Sequence, residues 1–169
     1  VLLEYACAFA GLVLVTANPA YQSAELRYVL EQSGSVGLFH VPEYRGNPME
    51  EIARSAVDGN EDIRELVDIY DHAALFKQTD HTPRMPDVTP DDPAQIQYTS
   101  GTTGFPKGAI LSHRGLTNNA RLYYKRMGAT PASVWPNCMP MFHTSGCGMT
   151  TLGAMQVGCK LLMVKVFDP

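Results

Sequence analysis

Residues 98–113 read Tyr-Thr-Ser-Gly-Thr-Thr-Gly-Phe-Pro-Lys-Gly-Ala-Ile-Leu-Ser-His. Five small hydroxyl side chains, three glycines and one lysine fall within this run. Glycine lets a backbone bend into conformations other residues avoid, and lets it approach a ligand closely. Successive N–H groups exposed in such a bend form a concave anion site. Hydroxyls add short donors, and Lys107 adds a point positive charge. The combination suits a polyphosphate. Neither common phosphate motif has this order. A Walker-type loop, G-x-x-x-x-G-K-[ST], needs Ser or Thr after its lysine, but Gly108 follows Lys107. Pro106 also disfavours the start of a helix there, and G-x-G-x-x-G is absent from the run.

The order T-S-G-T-T-G-F-P-K-G-A, then L-S-H, resembles the signature loop of the adenylate-forming (AMP-binding) enzymes. That superfamily includes acyl- and aryl-CoA synthetases, beetle luciferases and peptide-synthetase adenylation domains. The match runs from Tyr98 to His113. Pro140-Met141-Phe142-His143, followed by Gly146, is similar to the family's P-[LM]-F-H segment beside the acyl pocket. Asn18-Pro19, followed by Glu25 and Leu26, is similar to an earlier family segment. Together the resemblance covers nearly the whole chain. It corresponds to a middle portion of the large N-terminal domain of a long-chain fatty-acid–CoA ligase or related acyl-CoA synthetase.

The resemblance implies two chemical steps. A carboxylate attacks the α-phosphate of ATP and expels pyrophosphate, and the thiol of CoA then attacks the activated carbonyl. Charge must be neutralised where two anions meet, by N–H groups, hydroxyls, a lysine and Mg²⁺. In this picture Ser100, Gly101, Thr102, Thr103 and Gly104 wrap the β- and γ-phosphates, and Lys107 adds positive charge. Thr99 supplies a hydroxyl near Mg²⁺. His143, Thr144, Gly146 and Cys147 line the acyl or adenine side, with Lys107 and His143 as the catalytic candidates. Glycines at 146 and 148 are expected to leave open space for a long acyl chain, so a fatty acid is the expected substrate. A packed, hydrogen-bonded core role for His143 stands beside this one. Met139, Met141, Met149 and Met155 read as packing residues, and Arg114, Arg121, Lys125 and Arg126 as a solvated helix face. The family's acidic adenine and magnesium segment, its ribose-binding aspartate and its C-terminal lysine have no counterpart before Pro169. The isolated chain is therefore expected not to turn over. Two alternatives remain: adenylation with a carrier-protein or other acceptor, and a non-catalytic nucleotide-binding descendant.

Composition bounds these readings. A chain of 169 residues with 45% hydrophobic content can fill a core. Net charge −4 and a pI near 5.7 argue against nucleic acid as a partner. Cys7, Cys138, Cys147 and Cys159 lack C-x-x-C spacing and read as reduced thiols of a cytoplasmic protein. The apolar stretch at 5–15 is too short for a transmembrane segment and lacks a basic leader. The chain opens on Val-Leu-Leu-Glu and stops at Phe167-Asp168-Pro169, which reads as a piece cut from a larger protein. Such a cut bares edges and apolar faces, so self-association of the piece is expected.

The elements that must position these residues alternate between helix and strand. Helices are expected at 2–10, from Ser23 to a stop at Gly34, and from Pro48, with Asn47 as cap and Met49, Ile52, Ala53 and Ala56 on one face. Strands are expected at 12–16, 36–41 and 64–70. Residues 78–93 hold four prolines and four aspartates, which reads as a linker between a first α/β portion (1–77) and a second (94–169). Beyond it, strand-like pieces at 94–98 and 108–111 flank the loop. Ser112 caps a helix with Leu116, Ala120, Tyr123 and Met127 on its apolar face. A strand at 133–139, a segment at 143–156 helical in its later part, and a strand at 160–166 complete the pattern. This alternation implies an α/β fold with mainly parallel sheets flanked by helices.

Overall fold

The structure, a computed structural model, describes residues 1–77, 85–99 and 106–165. Its elements are α1 (Leu2–Phe9), β1 (Leu14–Thr16), α2 (Ser23–Ser33), β2 (Gly37–His40), α3 (Met49–Val57), β3 (Glu65–Asp68) and α4 (His72–Leu75). There follow β4 (Pro93–Thr99), β5 (Lys107–Ser112), α5 (His113–Arg126), β6 (Val134–Asn137), a π-helix (Ser145–Leu152), α6 (Gly153–Val157) and β7 (Lys160–Met163). Among the described residues the strands form three sheets, ordered β1-β4-β5, β2-β3 and β6-β7. Every pairing between these strands is parallel except β4 with β5. The α/β class and the mainly parallel pairing agree with the sequence reading.

The chain divides into two compact units, 1–16 with 85–169, and 17–84. Residues 1–16 thus join the loop-bearing unit, not the portion that follows them in sequence. The cause is strand pairing: Val15 stands in register with Ile96. Composition can mark a proline-rich connection, but it carries no signal for a partner 81 positions away, as 96 − 15 gives here.

In the unit 17–84, α2 and α3 bury Leu26, Leu30, Ile52 and Ala56 against each other. Burying a Leu or Ile side chain fully is worth about 1.5–3 kcal/mol, which is the main force holding this pair. Both helix starts lie one residue away from the expected caps. Gln22, not Ser23, is the α2 N-cap, because Glu25 reaches back to accept from its backbone N–H at 2.9 Å. Pro48 takes the α3 cap position, and Asn47 instead donates from Nδ2 to the Pro19 carbonyl at 2.8 Å. Gly34 stops α2 with φ +63°.

In the other unit, Ser112 caps α5 as expected, its Oγ accepting from Gly115 N at 3.1 Å. The last part of the proline- and aspartate-rich stretch anchors the same helix start. Pro90 O accepts from Arg114 N at 2.7 Å, and Asp91 holds the Arg114 guanidinium through two bonds of 2.6 and 2.9 Å. Residues 78–84 of that stretch lie outside the described residues. The buried stripe of α5 is Leu116, Ala120 and Tyr124. This corrects the expected face, since Met127 is 55% exposed. Tyr124 wins the inward position because its ring lies on Gly153 and its hydroxyl donates to Thr150 O at 2.8 Å. The Trp135 ring packs on it at 4.6 Å.

Candidate functional site

The hairpin of β4 and β5 carries the first cluster. Strand pairing closes with Thr99 opposite Lys107, so these two residues bracket the glycine-rich run. Ser100, Gly101, Thr102, Thr103 and Gly104 lie outside the described residues. Thr99 and Lys107 are both exposed. The Thr99 hydroxyl donates to Lys107 O across a long 3.5 Å, which leaves its oxygen lone pairs free for a ligand. Among the described residues no carboxylate pairs with Lys107. Gly108 sits in a tight spot: a Cβ there would lie 3.0 Å from Ile96 Cγ2 and 3.2 Å from the Tyr98 ring. The hairpin end therefore offers one ammonium and one hydroxyl at the two positions that bracket the glycine-rich run.

The second cluster begins at Pro140. The backbone turns so that His143 N donates to Pro140 O at 3.1 Å. The His143 carbonyl then accepts from Gly146 N at 2.9 Å and Cys147 N at 3.1 Å. His143 is exposed, which removes the packed-core alternative. Ser145 N donates to His143 Nδ1 at 3.1 Å, so Nδ1 is the acceptor and the neutral ring carries its proton on Nε2. The next eight residues form the π-helix, with Met149 N donating to Thr144 O at 2.7 Å. Such i→i+5 turns recur at functional sites.

Gly146 is the hub of that helix. Its carbonyl accepts from Asn137 Nδ2 at 3.1 Å, Thr150 Oγ1 at 2.7 Å and Thr151 Oγ1 at 2.7 Å. Its own Cα faces the Pro140 carbonyl so closely that a Cβ would overlap it. This corrects the expectation of open space: backbone fills the gap at Gly146, and Leu116 and Thr144 stand in ordinary contact distance of Gly148. The glycines serve close packing here.

Cys147 is 2% exposed and its sulfur points to β4. Gln97 Nε2 donates to Cys147 Sγ at 3.1 Å and to Gln95 Oε1 at 3.0 Å. The thiol has acceptors at His143 O, 3.3 Å, and Gln95 Oε1, 3.5 Å. Gln95 Nε2 continues the chain of bonds to Glu4 Oε1 at 2.8 Å. Burial pushes the Glu4 carboxyl above its usual range against the opposing pull of the Gln95 hydrogen bond. Burial also pushes the Cys147 thiol up, and Glu4 adds to the shift. Both shifts favour the neutral forms of Glu4 and Cys147. Sequence reading missed Glu4, Gln95, Gln97, Asn137, Thr150 and Thr151. The readable signal was alternation in β4, which brings Gln95, Gln97 and Thr99 to one face.

Among the described residues no group of three or more His, Cys, Asp or Glu could hold a metal. A single hydroxyl at Thr99 fits an ion such as Mg²⁺, which keeps most of its shell as phosphate oxygens and water. No helix among the described residues is long and apolar enough to cross a membrane.

Comparison with known proteins points the same way as the geometry. The profile of a family described as AMP-binding enzyme matches residues 1–169. YngI of Bacillus subtilis, named as a candidate acyl-CoA synthetase, is 31% identical over 99% of the chain, which covers 35% of YngI. The human mitochondrial medium-chain acyl-CoA ligase ACSF2 is 30% identical over 96% of the chain, 32% of its own length. Among solved structures, ATP-bound MatB of Rhodopseudomonas palustris superposes with a TM-score of 0.81 at 27% identity, over 98% of the chain and 33% of MatB. The inhibitor-bound N-terminal domain of Mycobacterium tuberculosis FACL13 gives 0.82 at 25% identity, over 98% of the chain and 41% of that domain. The chain spans about a third of the length of the curated relatives it matches.

Proposed function

The chain belongs to the AMP-binding enzyme family, and from that premise we propose that the protein carrying it is an AMP-forming acid–thiol ligase. It activates a carboxylic acid, in our reading a fatty acid, as acyl-AMP and transfers the acyl group to CoA. The observation that carries this is the hairpin end, where Thr99 and Lys107 stand paired at the two stems of the glycine-rich loop. In this reading residues 100–104 hold the β- and γ-phosphates through backbone N–H groups and hydroxyls. Lys107 offsets the charge that builds on pyrophosphate as the carboxylate oxygen bonds to the α-phosphorus and the bridging oxygen leaves. Mg²⁺, where it binds, adds charge neutralisation beside the Thr99 hydroxyl.

His143 meets the acid or the adenine from its fixed position at the head of the π-helix. Its Nε2–H is the donor it can offer, because Nδ1 is engaged with Ser145. Support for a fatty acid comes from the relative named as a medium-chain acyl-CoA ligase, since packed backbone at Gly146 gives none. Four free cysteines favour the cytoplasm or another reducing compartment. The chain by itself, a third of the length of its relatives, is proposed not to catalyse the reaction.

The experiment is acid-dependent ATP–pyrophosphate exchange by the full-length protein, across straight-chain acids of increasing length, followed by CoA thioester assay. Exchange and thioester formation with a fatty acid are expected. Exchange with no thioester would replace CoA by another acceptor, and absence of exchange with every acid would overturn the reading. Measurable exchange by the isolated 169-residue chain would overturn the claim that it is inactive.

A further inference from the structure

The two clusters come from distant parts of the sequence and yet share one strip of buried polar atoms. Gln97 lies two residues before Thr99 on the same face of β4. It is 5% exposed, and Gln95 is 2% exposed. Both Nε2 hydrogens of Gln97 are used, on Gln95 Oε1 at 3.0 Å and on Cys147 Sγ at 3.1 Å. The Cys147 thiol has His143 O at 3.3 Å. The link runs from the strand that leads into the phosphate loop to the backbone of the residue at the head of the π-helix. Buried amides pay full desolvation if a partner shifts, so such a link resists relative movement.

We propose that Gln97, acting through Cys147, is a positioning residue that fixes the His143 segment against the phosphate-loop hairpin, so that ATP and the acid are held in one register. This rests on the ligase reading above. Gln97 itself touches neither substrate. Gln95 braces Gln97 from the α1 side through Glu4.

The test uses the full-length protein with Gln97→Met, which keeps length and removes both donors. With ATP and octanoate, the KM values for both should rise together, about five- to tenfold. Lys107→Ala should act on the ATP side, and His143→Ala on the one substrate it meets. Cys147→Ala should give the same paired rise, and the double variant should be no worse than either single one. A lower active fraction with both KM values unchanged would make Gln97 merely structural and overturn the proposal. A rise confined to one substrate, or additive effects in the double variant, would overturn it too. Hydrogen exchange supplies a readout that does not need turnover. Gln97→Met should loosen residues 107–111 and 143–151 together while α2 and α3 keep their protection. Loss on one side only, or uniform loss, would overturn the proposal even where the parent fails to adenylate, a failure that bears on the ligase reading alone.

Discussion

The hairpin end at Thr99 and Lys107 and the π-helix head at His143 solve the same problem in opposite ways. At the hairpin, the proposed function rests on the order of small residues, and the two stem residues are exposed. At the π-helix, nearly every polar atom is spent on structure: one carbonyl, that of Gly146, accepts from three side chains. The first region can change its surface chemistry without touching a core. The second cannot change the hydrogen at Gly146 for a methyl without moving backbone.

That contrast predicts the largest effect. Gly146→Ala places a methyl group on the Pro140 carbonyl, with no flexible side chain to yield. Overpacking of this kind costs about 3 kcal/mol, so urea unfolding of the full-length protein should show a large loss or no folded protein. Gly108→Ala at the hairpin meets a side-chain methyl at 3.0 Å and should cost about 1 kcal/mol. Equal losses at the two positions would break the comparison.

Next in size is a change on activity. Lys107→Ala should lower ATP–pyrophosphate exchange by about a hundredfold, the scale of one charged stabiliser at a reacting phosphate. Its exposed side chain makes no ion pair among the described residues, so stability should move by less than about 0.5 kcal/mol. Parental exchange rates in Lys107→Ala would remove the phosphate role.

These first three substitutions also mark what the sequence could tell. The α/β class and the alternation of elements followed from periodicity, glycine stops and turn residues. The Ser112 cap was legible because a cap needs only three neighbouring residues. Membership of residues 1–16 in the loop-bearing unit was not legible, because the pairing of β1 with β4 is a long-range choice. The α5 face turned by one residue to Tyr124, since Gly153, far along the chain, makes the room for its ring. The buried glutamines were hidden by their type. Polar type gives no sign of burial at Gln95 and Gln97, and the partners Glu4 and Cys147 make them interior. Glycine at 146 read as space, whereas it is the mark of a close approach.

A middling effect tests how the π-helix is held. Tyr124→Phe removes the hydroxyl that donates to Thr150 O at 2.8 Å. One such bond contributes about 1 kcal/mol, and the abandoned carbonyl adds to the loss. The melting temperature should fall by a few degrees, with the helix-end carbonyls of the π-helix exchanging partners. Burial holds the Tyr124 phenol above its ordinary value, so the parent should lose stability as pH rises above 10 while Tyr124→Phe lacks that component. Identical alkaline profiles would show that the phenol is not shielded in solution.

A thiol-reactivity experiment sharpens the same contrast at smaller cost to the protein. Cys138 is exposed, whereas Cys7 and Cys147 are buried with their thiols pushed up. Alkylation by iodoacetamide followed by mass spectrometry should label Cys138 first and Cys147 last. Fast labelling of Cys147 would mean that the contact with Gln97 opens readily.

The smallest expected effect lies at the far end of the polar strip. Glu4 has its folded-state pKa raised above 4.5 by burial. The folded state therefore binds the proton more tightly than the unfolded chain. The stability due to the protonated carboxyl is complete below about pH 4.5 and is lost as pH rises through the folded value. Glu4→Gln keeps a neutral group that can still accept from Gln95. It should match the parent in melting temperature near pH 4.5 and exceed it slightly at neutral pH. A difference that stays constant across that window would mean Glu4 is solvated in both states. The strip would then end at Gln95, and α1 would have no part in bracing the hairpin.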